Sequence, residues 1–361
     1  MKKFAVALTC CLGFAVHAQI PAGYPADYAA TVAAAEKEGK VVVYSSTDST
    51  STKPLLADFQ ALYPKIKVEY HDMNTTEIYS RFISENAANA GTADVLWSSS
   101  MDLQVKLVSD GHAMTYPSPE AGKLPDWAHW KNEAYGTTFE PIVFVYNKRL
   151  LQADEIPLTH ADFTRILGAK AERFRNKVTS YDVEKSGLGF MLVTQDAMVS
   201  SAFWDLAKAM GSVSARYQSS SGTMMERISS GENLLGYNLL GSYAFIKAKK
   251  DPAIGIVYPK DYTLVISRVM FVAKKARNPN AAKVWLDYIL SRRGQTVMAN
   301  QADLFALRAD VEGETTAAGL TKQLGAALKP VRLGPELLNM LDPAKRLDFL
   351  KQWQQTAVGK K

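Results

Sequence analysis

Lys40-Val41-Val42-Val43-Tyr44-Ser45-Ser46-Thr47-Asp48-Ser49-Thr50-Ser51-Thr52 is the stretch on which the fold turns. Lys40 to Tyr44 is a Val-rich run, the continuous apolar pattern of a strand covered on both faces in a parallel sheet. Eight Ser, Thr or Asp residues follow. Leu55, Leu56, Phe59, Leu62 and Tyr63 then recur at helical spacing, with Pro54 suited to a first turn. Strand, polar corner and helix make one unit.

The unit repeats in both directions. A short Ala-rich helix covers Tyr28 to Lys37. Downstream come a strand at Ile66 to Tyr70, a helix marked by Ile78, Phe82 and Ile83, a strand at Ala93 to Trp97, and a helix from Met101 to Ser109 that Gly111 stops. Such alternation predicts an open, mostly parallel sheet with helices on its faces. Residues 112–133 read as a long loop. Tyr135 to Tyr146 is too long for one buried strand and predicts a crossing between domains. A second alternating series follows: helix Ala161 to Ala171, strand Lys177 to Ser180, helices from Ser186 and over Trp204 to Met210 and Met224 to Ser229, strand Leu234 to Tyr237, and a helix from Ser242. Tyr262 to Val272 reads as the return crossing, Ala281 to Leu290 as an amphipathic helix, and the C-terminal third as helical to the end.

Composition narrows the function. Residues 1–18 have a basic start at Lys2 and Lys3, a short apolar core and the small-residue site Val16-His17-Ala18, which reads as an export signal. Both cysteines, Cys10 and Cys11, lie inside it, so the exported chain is expected to have no disulfide and no thiolate. Without Lys2 and Lys3 the chain keeps 40 basic against 36 acidic residues, a charge of +4. These charges are interspersed, which argues against a nucleic-acid partner. No stretch approaches the roughly 18 apolar residues of a membrane span.

The strands end on polar corners that precede helices: Ser45-Ser46-Thr47-Asp48 after the first, Ser98-Ser99-Ser100 after the third, Tyr181-Asp182 with Ser186-Gly187 in the second series, and Asn238 with Gly241-Ser242 later. Open α/β sheets bind ligands beyond the carboxyl ends of their strands, where helix N-termini offer free N–H groups to anions. Ser, Thr and Asp at these positions also cap helices whatever the function. No catalytic constellation stands out: His71, His112, His129 and His160 have no metal-ligand spacing, no serine sits on a Gly-flanked elbow, and no P-loop occurs. Asp48, Glu140 and Asp182 read better as polar site or cap residues than as a catalytic set.

Val41 to Ser46 with its Ser/Thr loop, Ala93-Asp94-Val95-Leu96-Trp97, Tyr146-Asn147-Lys148, Ser230-Gly231-Glu232, Gly236-Tyr237-Asn238, Asn278-Pro279-Asn280-Ala281-Ala282, Leu290-Ser291 and Gly294-Gln295 together resemble the periplasmic substrate-binding proteins of ABC importers. The likeness spans residues 39–311 and is nearest the group of ferric-ion, phosphonate, sugar-phosphate and phosphoglycerate binders. It implies an α/β, type II-like two-lobed periplasmic-binding-protein fold, each lobe a mostly parallel sheet flanked by helices, with a ligand cleft at a hinge that closes on the solute. The expected division is lobe 1 over 19–140 and 262–310, lobe 2 over 141–261, and a helical segment over 311–361 packing on both. The resemblance also implies a periplasmic, monomeric binding protein serving an inner-membrane ABC permease, not an enzyme, with no cofactor. Ferric binders of the group use adjacent tyrosines, and the matching stretch Gly236 to Tyr243 has none, so no metal site is expected. The ligand expected is a small organic anion, a phosphate ester or phosphonate that also carries hydrogen-bond donors. Its contacts are expected from Ser45, Ser46, Thr47, Asp48, Ser98, Ser99, Ser100, Glu140, Tyr181, Asp182, Ser186, Gly187, Tyr237 and Asn238, with Arg268 on the return crossing as counter-charge. A ferric binder and a secreted enzyme on the same scaffold are the alternatives.

Overall fold

The computed structural model describes residues 23–359, so residues 1–18, read above as an export signal, and both cysteines lie outside the described residues. The first run is α1 (Tyr28–Glu38), β1 (Lys40–Ser45), α2 (Ser49–Leu62), β2 (Lys67–Asp72), α3 (Thr75–Ala87), β3 (Val95–Ser98) and α4 (Met101–Ser109), followed by the short β4 (His129–Trp130) and β5 (Ala134–Gly136). The second is β6 (Glu140–Asn147), α5 (His160–Ala169), α6 (Ala171–Phe174), β7 (Val178–Tyr181), α7 (Gly187–Val199), α8 (Phe203–Ser212), β8 (Arg216–Gln218), α9 (Ser221–Ser229), β9 (Leu235–Leu240), α10 (Gly241–Lys250), β10 (Ile254–Val257) and β11 (Thr263–Ile266). The chain closes with β12 (Val269–Val272), α11 (Pro279–Leu290), α12 (Arg292–Asn300), α13 (Ala317–Leu324), β13 (Leu328–Pro330) and α14 (Pro343–Trp353).

Two sheets result. One runs β2-β1-β3-β12-β5-β4; the other runs β13-β11-β6-β9-β7-β8, with β10 also on β6. Pairing is parallel among β1, β2 and β3 and among β7, β8 and β9, as the strand-helix alternation demands. It is antiparallel where crossing strands enter, β12 beside β3 and β6 beside β9. The two long β-rich segments do cross: β5 and β12 belong to the first sheet, while their chain neighbours β6 and β11 belong to the second and pair with each other. Phe59, Trp97 and Trp285 anchor the core around the first sheet, and Phe144, Phe163, Phe203 and Trp353 that of the second. A third apolar cluster joins Ile78 and Phe82 of α3 to Met224 and Leu239 of the second sheet's side, so the halves share buried surface.

Three local expectations are corrected. Helix α2 starts at Ser49, which makes Pro54 an interior residue, not a first-turn one. The Asp48 carbonyl accepts both Thr52 N–H and Thr52 Oγ1, so half of the Ser/Thr run is spent on opening the helix. Strand β9 continues to Leu240, which puts Asn238 inside it at φ +62°, opposite a register break between Val143 and Val145. Asn tolerates that left-handed geometry better than most residues. Finally, the C-terminal third contains a strand, β13, parallel to β11.

Candidate functional site

The corners after β1, β2, β3, β7, β8 and β9 meet around one cavity of 260 Å³ between the sheets. Ser46, Asp48, Asp72, Asn74, Thr75 and Ser99 line it from the first side, and Tyr181, Ser186, Ser219 to Gly222, Leu240 and Tyr243 from the second. Six helices begin on this wall: α2 after Asp48, α3 after Asn74, α4 just past Ser99, α7 after Ser186, α9 after Ser220 and α10 after Leu240. Their positive dipole ends therefore converge. Asn74, Ser186 and Ser220 cap their helices with side-chain oxygens, whereas Asp48, Ser100 and Leu240 make no such bond.

Arg268 lies behind the first corner. Its guanidinium donates to Glu140 Oε1 (2.8 Å), Thr47 Oγ1 (3.0 Å) and the Ser46 carbonyl (3.3 Å), and it sits 5.0 Å from the Tyr243 ring centroid. Burial opposes the Arg268 charge, yet Tyr243, Glu140 and Asp48 hold its pKa above the usual range. Arg268 Nη2 and Glu140 Oε2 are buried without a partner among the described residues. Burial raises the Asp48 carboxyl pKa while Arg268 draws it back. Burial also pushes the Tyr243 phenol up to about 12 and the Tyr181 phenol further, so both are neutral donors near pH 7.

The two sides touch at both rims of the cavity. The Tyr243 hydroxyl accepts the Asp48 N–H (3.1 Å) and donates to the Ser46 carbonyl (3.5 Å). On the opposite rim Thr76 Oγ1 accepts the Gly187 N–H (3.1 Å) and donates to the Lys185 carbonyl (3.2 Å), while Thr75 Oγ1 accepts the Leu188 N–H (3.3 Å).

Of the residues expected from sequence, Ser46, Asp48, Ser99, Tyr181 and Ser186 line the cavity. Ser45, Thr47, Glu140 and Arg268 form the layer behind it, Ser45 Oγ accepting the Thr47 N–H. Ser98 and Ser100 act at the start of α4: Ser98 Oγ accepts the Ser100 N–H and Ser100 Oγ donates to Asp102. Gly187 carries the rim contact with Thr76. Asp182 is spent on its own turn, accepting the Glu184 and Lys185 N–H groups. Tyr237 and Asn238 are off the cavity wall and donate to buried Asp196, at 2.7 and 2.6 Å. The bulge turns Asn238 inward, so these two hold the second core together.

The sequence reading missed Asp72, Asn74, Thr75, Tyr243 and the corner Ser219-Ser220-Ser221-Gly222. That last run carries the same signal as Ser98 to Ser100, three serines before a helix. It was hidden because β8 spans only three residues and has no apolar run to announce it.

The corners of the two sheets thus enclose a polar cleft at the crossing point. Residues 54–321 match the family model of bacterial extracellular solute-binding proteins. The chain belongs to that family, one of binding proteins and not of enzymes. It is 41% identical to a substrate-binding protein of an ABC transporter from Agrobacterium tumefaciens, with a TM-score of 0.84 over 88% of this chain and 94% of that one. The fold also matches the periplasmic binding protein AfuA of Actinobacillus pleuropneumoniae with fructose-6-phosphate bound (18% identity, TM-score 0.74, 88% and 98% covered). A third match is iron-bound HitA of Pseudomonas aeruginosa (16% identity, TM-score 0.68, 88% and 99% covered). No curated relative matches the chain.

Proposed function

We propose that this chain is the periplasmic solute-binding component of an ABC importer, that it captures a small organic anion between its lobes, and that it delivers this solute as a monomer to an inner-membrane permease. In this reading residues 1–18 are the export signal, lobe 1 comprises 19–140 and 262–310, lobe 2 comprises 141–261, and 311–361 pack on both. The 41% identical Agrobacterium protein, itself part of an ABC transporter, supports the importer role.

The convergence of six helix N-termini on one cavity carries the anion reading. Each contributes about 0.3–1 kcal/mol toward a negative group at an exposed position and about 2 when partly buried. Six such ends amount to about 2–12 kcal/mol before association costs, so further donors are needed to reach the roughly 8 kcal/mol of micromolar binding. Ser46, Ser99, Ser186 and Ser220 add hydroxyl donors, and Arg268, its charge balanced by Glu140, holds the first corner from behind. Asp48 and Asp72 would repel a bare anion, so the ligand is a phosphate ester or phosphonate whose remaining atoms include hydroxyl or ammonium donors for those acids. A cavity of 260 Å³ lies just below the range of drug-sized pockets, which suits such a small molecule.

Two tyrosines on the wall keep a ferric reading in play, although their raised pKa values favour neutral phenols over phenolate ligands. A thermal-shift screen against phosphate esters, phosphonates, carboxylates and Fe³⁺ separates these. Stabilisation by phosphate esters or phosphonates, lost when Ser46, Ser99 and Ser220 are replaced by alanine, is the expected result. A response to carboxylates alone, or visible charge-transfer colour with Fe³⁺, would overturn it.

A further inference from the structure

We propose that residues 328–342 are a strap, a third connection between the lobes that limits how far they separate, in addition to the two crossings at β5–β6 and β11–β12. The path of the chain shows how. Strand β13 pairs in parallel with β11 on the second sheet, and the Val331 N–H continues that ladder to the Val265 carbonyl (2.8 Å). Two residues on, the Leu333 N–H bonds the Trp127 carbonyl (2.8 Å) and Arg332 reaches the Asp126 carbonyl (3.3 Å), both in the loop before β4 of the first sheet. A 3₁₀ segment, Pro335–Leu341, then packs on α4, the helix that begins at the Ser99 corner. The chain returns to the second side as α14, whose Phe349 and Trp353 are buried with Phe190 and Phe203. Beyond α14 the Ala357 carbonyl accepts the Tyr217 hydroxyl (2.8 Å).

The strap is held at both ends and glued in the middle. Val331, Leu333 and Leu337 are buried in the apolar cluster that contains Met101 and Val105 of α4 and Leu188 and Met191 of α7. Parting α4 from α7 must therefore strip these side chains from one helix or the other and return apolar surface to water. The cost is independent of any ligand and acts beside the cavity, since both helices start on its wall.

The test uses spin labels on cysteines introduced at exposed Lys53 in α2 and Glu226 in α9, with interlobe distances measured in the unliganded protein. Leu333→Ala with Leu337→Ala should shift the distribution to longer separations and broaden it. A second form carries protease sites between Pro330 and Val331 and between Leu341 and Asp342, so that cutting frees the strap from both anchors; it should shift the distribution in the same direction with unchanged circular dichroism, because α14 stays seated in the second core. Distributions that superimpose on the parent in both forms would overturn the proposal. Release of the fragment from Asp342 onward on cleavage would overturn it too, since the far anchor would then not hold by itself.

Discussion

The Arg268 guanidinium and the Glu140 carboxylate are both fully buried, and each stands on a different crossing strand segment. Removing one member strands the other's charge, which costs about 3–5 kcal/mol, whereas replacing both with apolar groups of similar size is often neutral. Glu140→Gln should therefore lower the urea midpoint sharply, and Glu140→Met with Arg268→Met should recover most of the loss; equal destabilisation by single and double variants would show that the pair is not the dominant interaction there. Asp287 offers a second residue-scale test. It accepts hydroxyls from Tyr28 (3.0 Å), Tyr116 (2.6 Å) and Ser118 (2.6 Å), and burial pushes its pKa up to about 7 against those donors. A carboxyl raised on folding contributes stability in full below its unfolded value near 4 and loses it as pH rises through about 7. Thermal melts should show a fall in stability from pH 5 to pH 8 that Asp287→Asn flattens; a parallel slope in the variant would assign the fall to other groups.

Among the elements, α7 shows how closely the two sides meet. A Cβ at Gly187 would stand 2.8 Å from Leu103 Cδ1, 3.0 Å from Ser100 Oγ and 3.2 Å from Thr75 Oγ1, all on the opposite lobe. All three atoms are ends of side chains that can yield, so Gly187→Ala should loosen the closed form rather than prevent it, with at most a small rise in the radius of gyration in X-ray scattering and no loss of helix content, since Ala favours helix over Gly. Gly222→Ala, with only Ser220 Oγ at 3.9 Å, should leave the scattering curve unchanged and serves as the control. The same elements show what sequence reveals. Val41 to Tyr44 and Ala93 to Trp97 announce themselves because a strand covered on both faces must be apolar throughout, and the corners follow from where those strands stop. Ser219 to Gly222 and Tyr243 were illegible for the opposite reason. A three-residue strand has no period, and a tyrosine in a helix's first turn looks like core until the partner lobe is placed beside it. Asn238 misled because the strand outlasts its apolar pattern across a bulge.

For the whole molecule, the balance between open and closed forms sets the affinity measured for any solute. The rims are closed by direct bonds from Tyr243 to the Asp48 N–H, from Thr76 to the Gly187 N–H and from Thr75 to the Leu188 N–H. Each such bond is worth about 0.5–1.5 kcal/mol net, so the three together favour closure by a few kcal/mol. Apparent affinity scales with the fraction of molecules in the competent form. Thr76 stands on the rim but not on the cavity wall, so Thr76→Val removes its bonds from the Gly187 N–H and to the Lys185 carbonyl and leaves every wall residue in place. The variant should bind a phosphate ester or phosphonate found by the thermal screen several-fold more weakly, given about 1.4 kcal/mol per factor of ten. The change should fall mainly on the dissociation rate in stopped-flow fluorescence, because the solute escapes only when the rims part and meets the same cavity on entry. Unchanged dissociation would mean that the solute alone draws the lobes together and that the rim contacts merely accompany it.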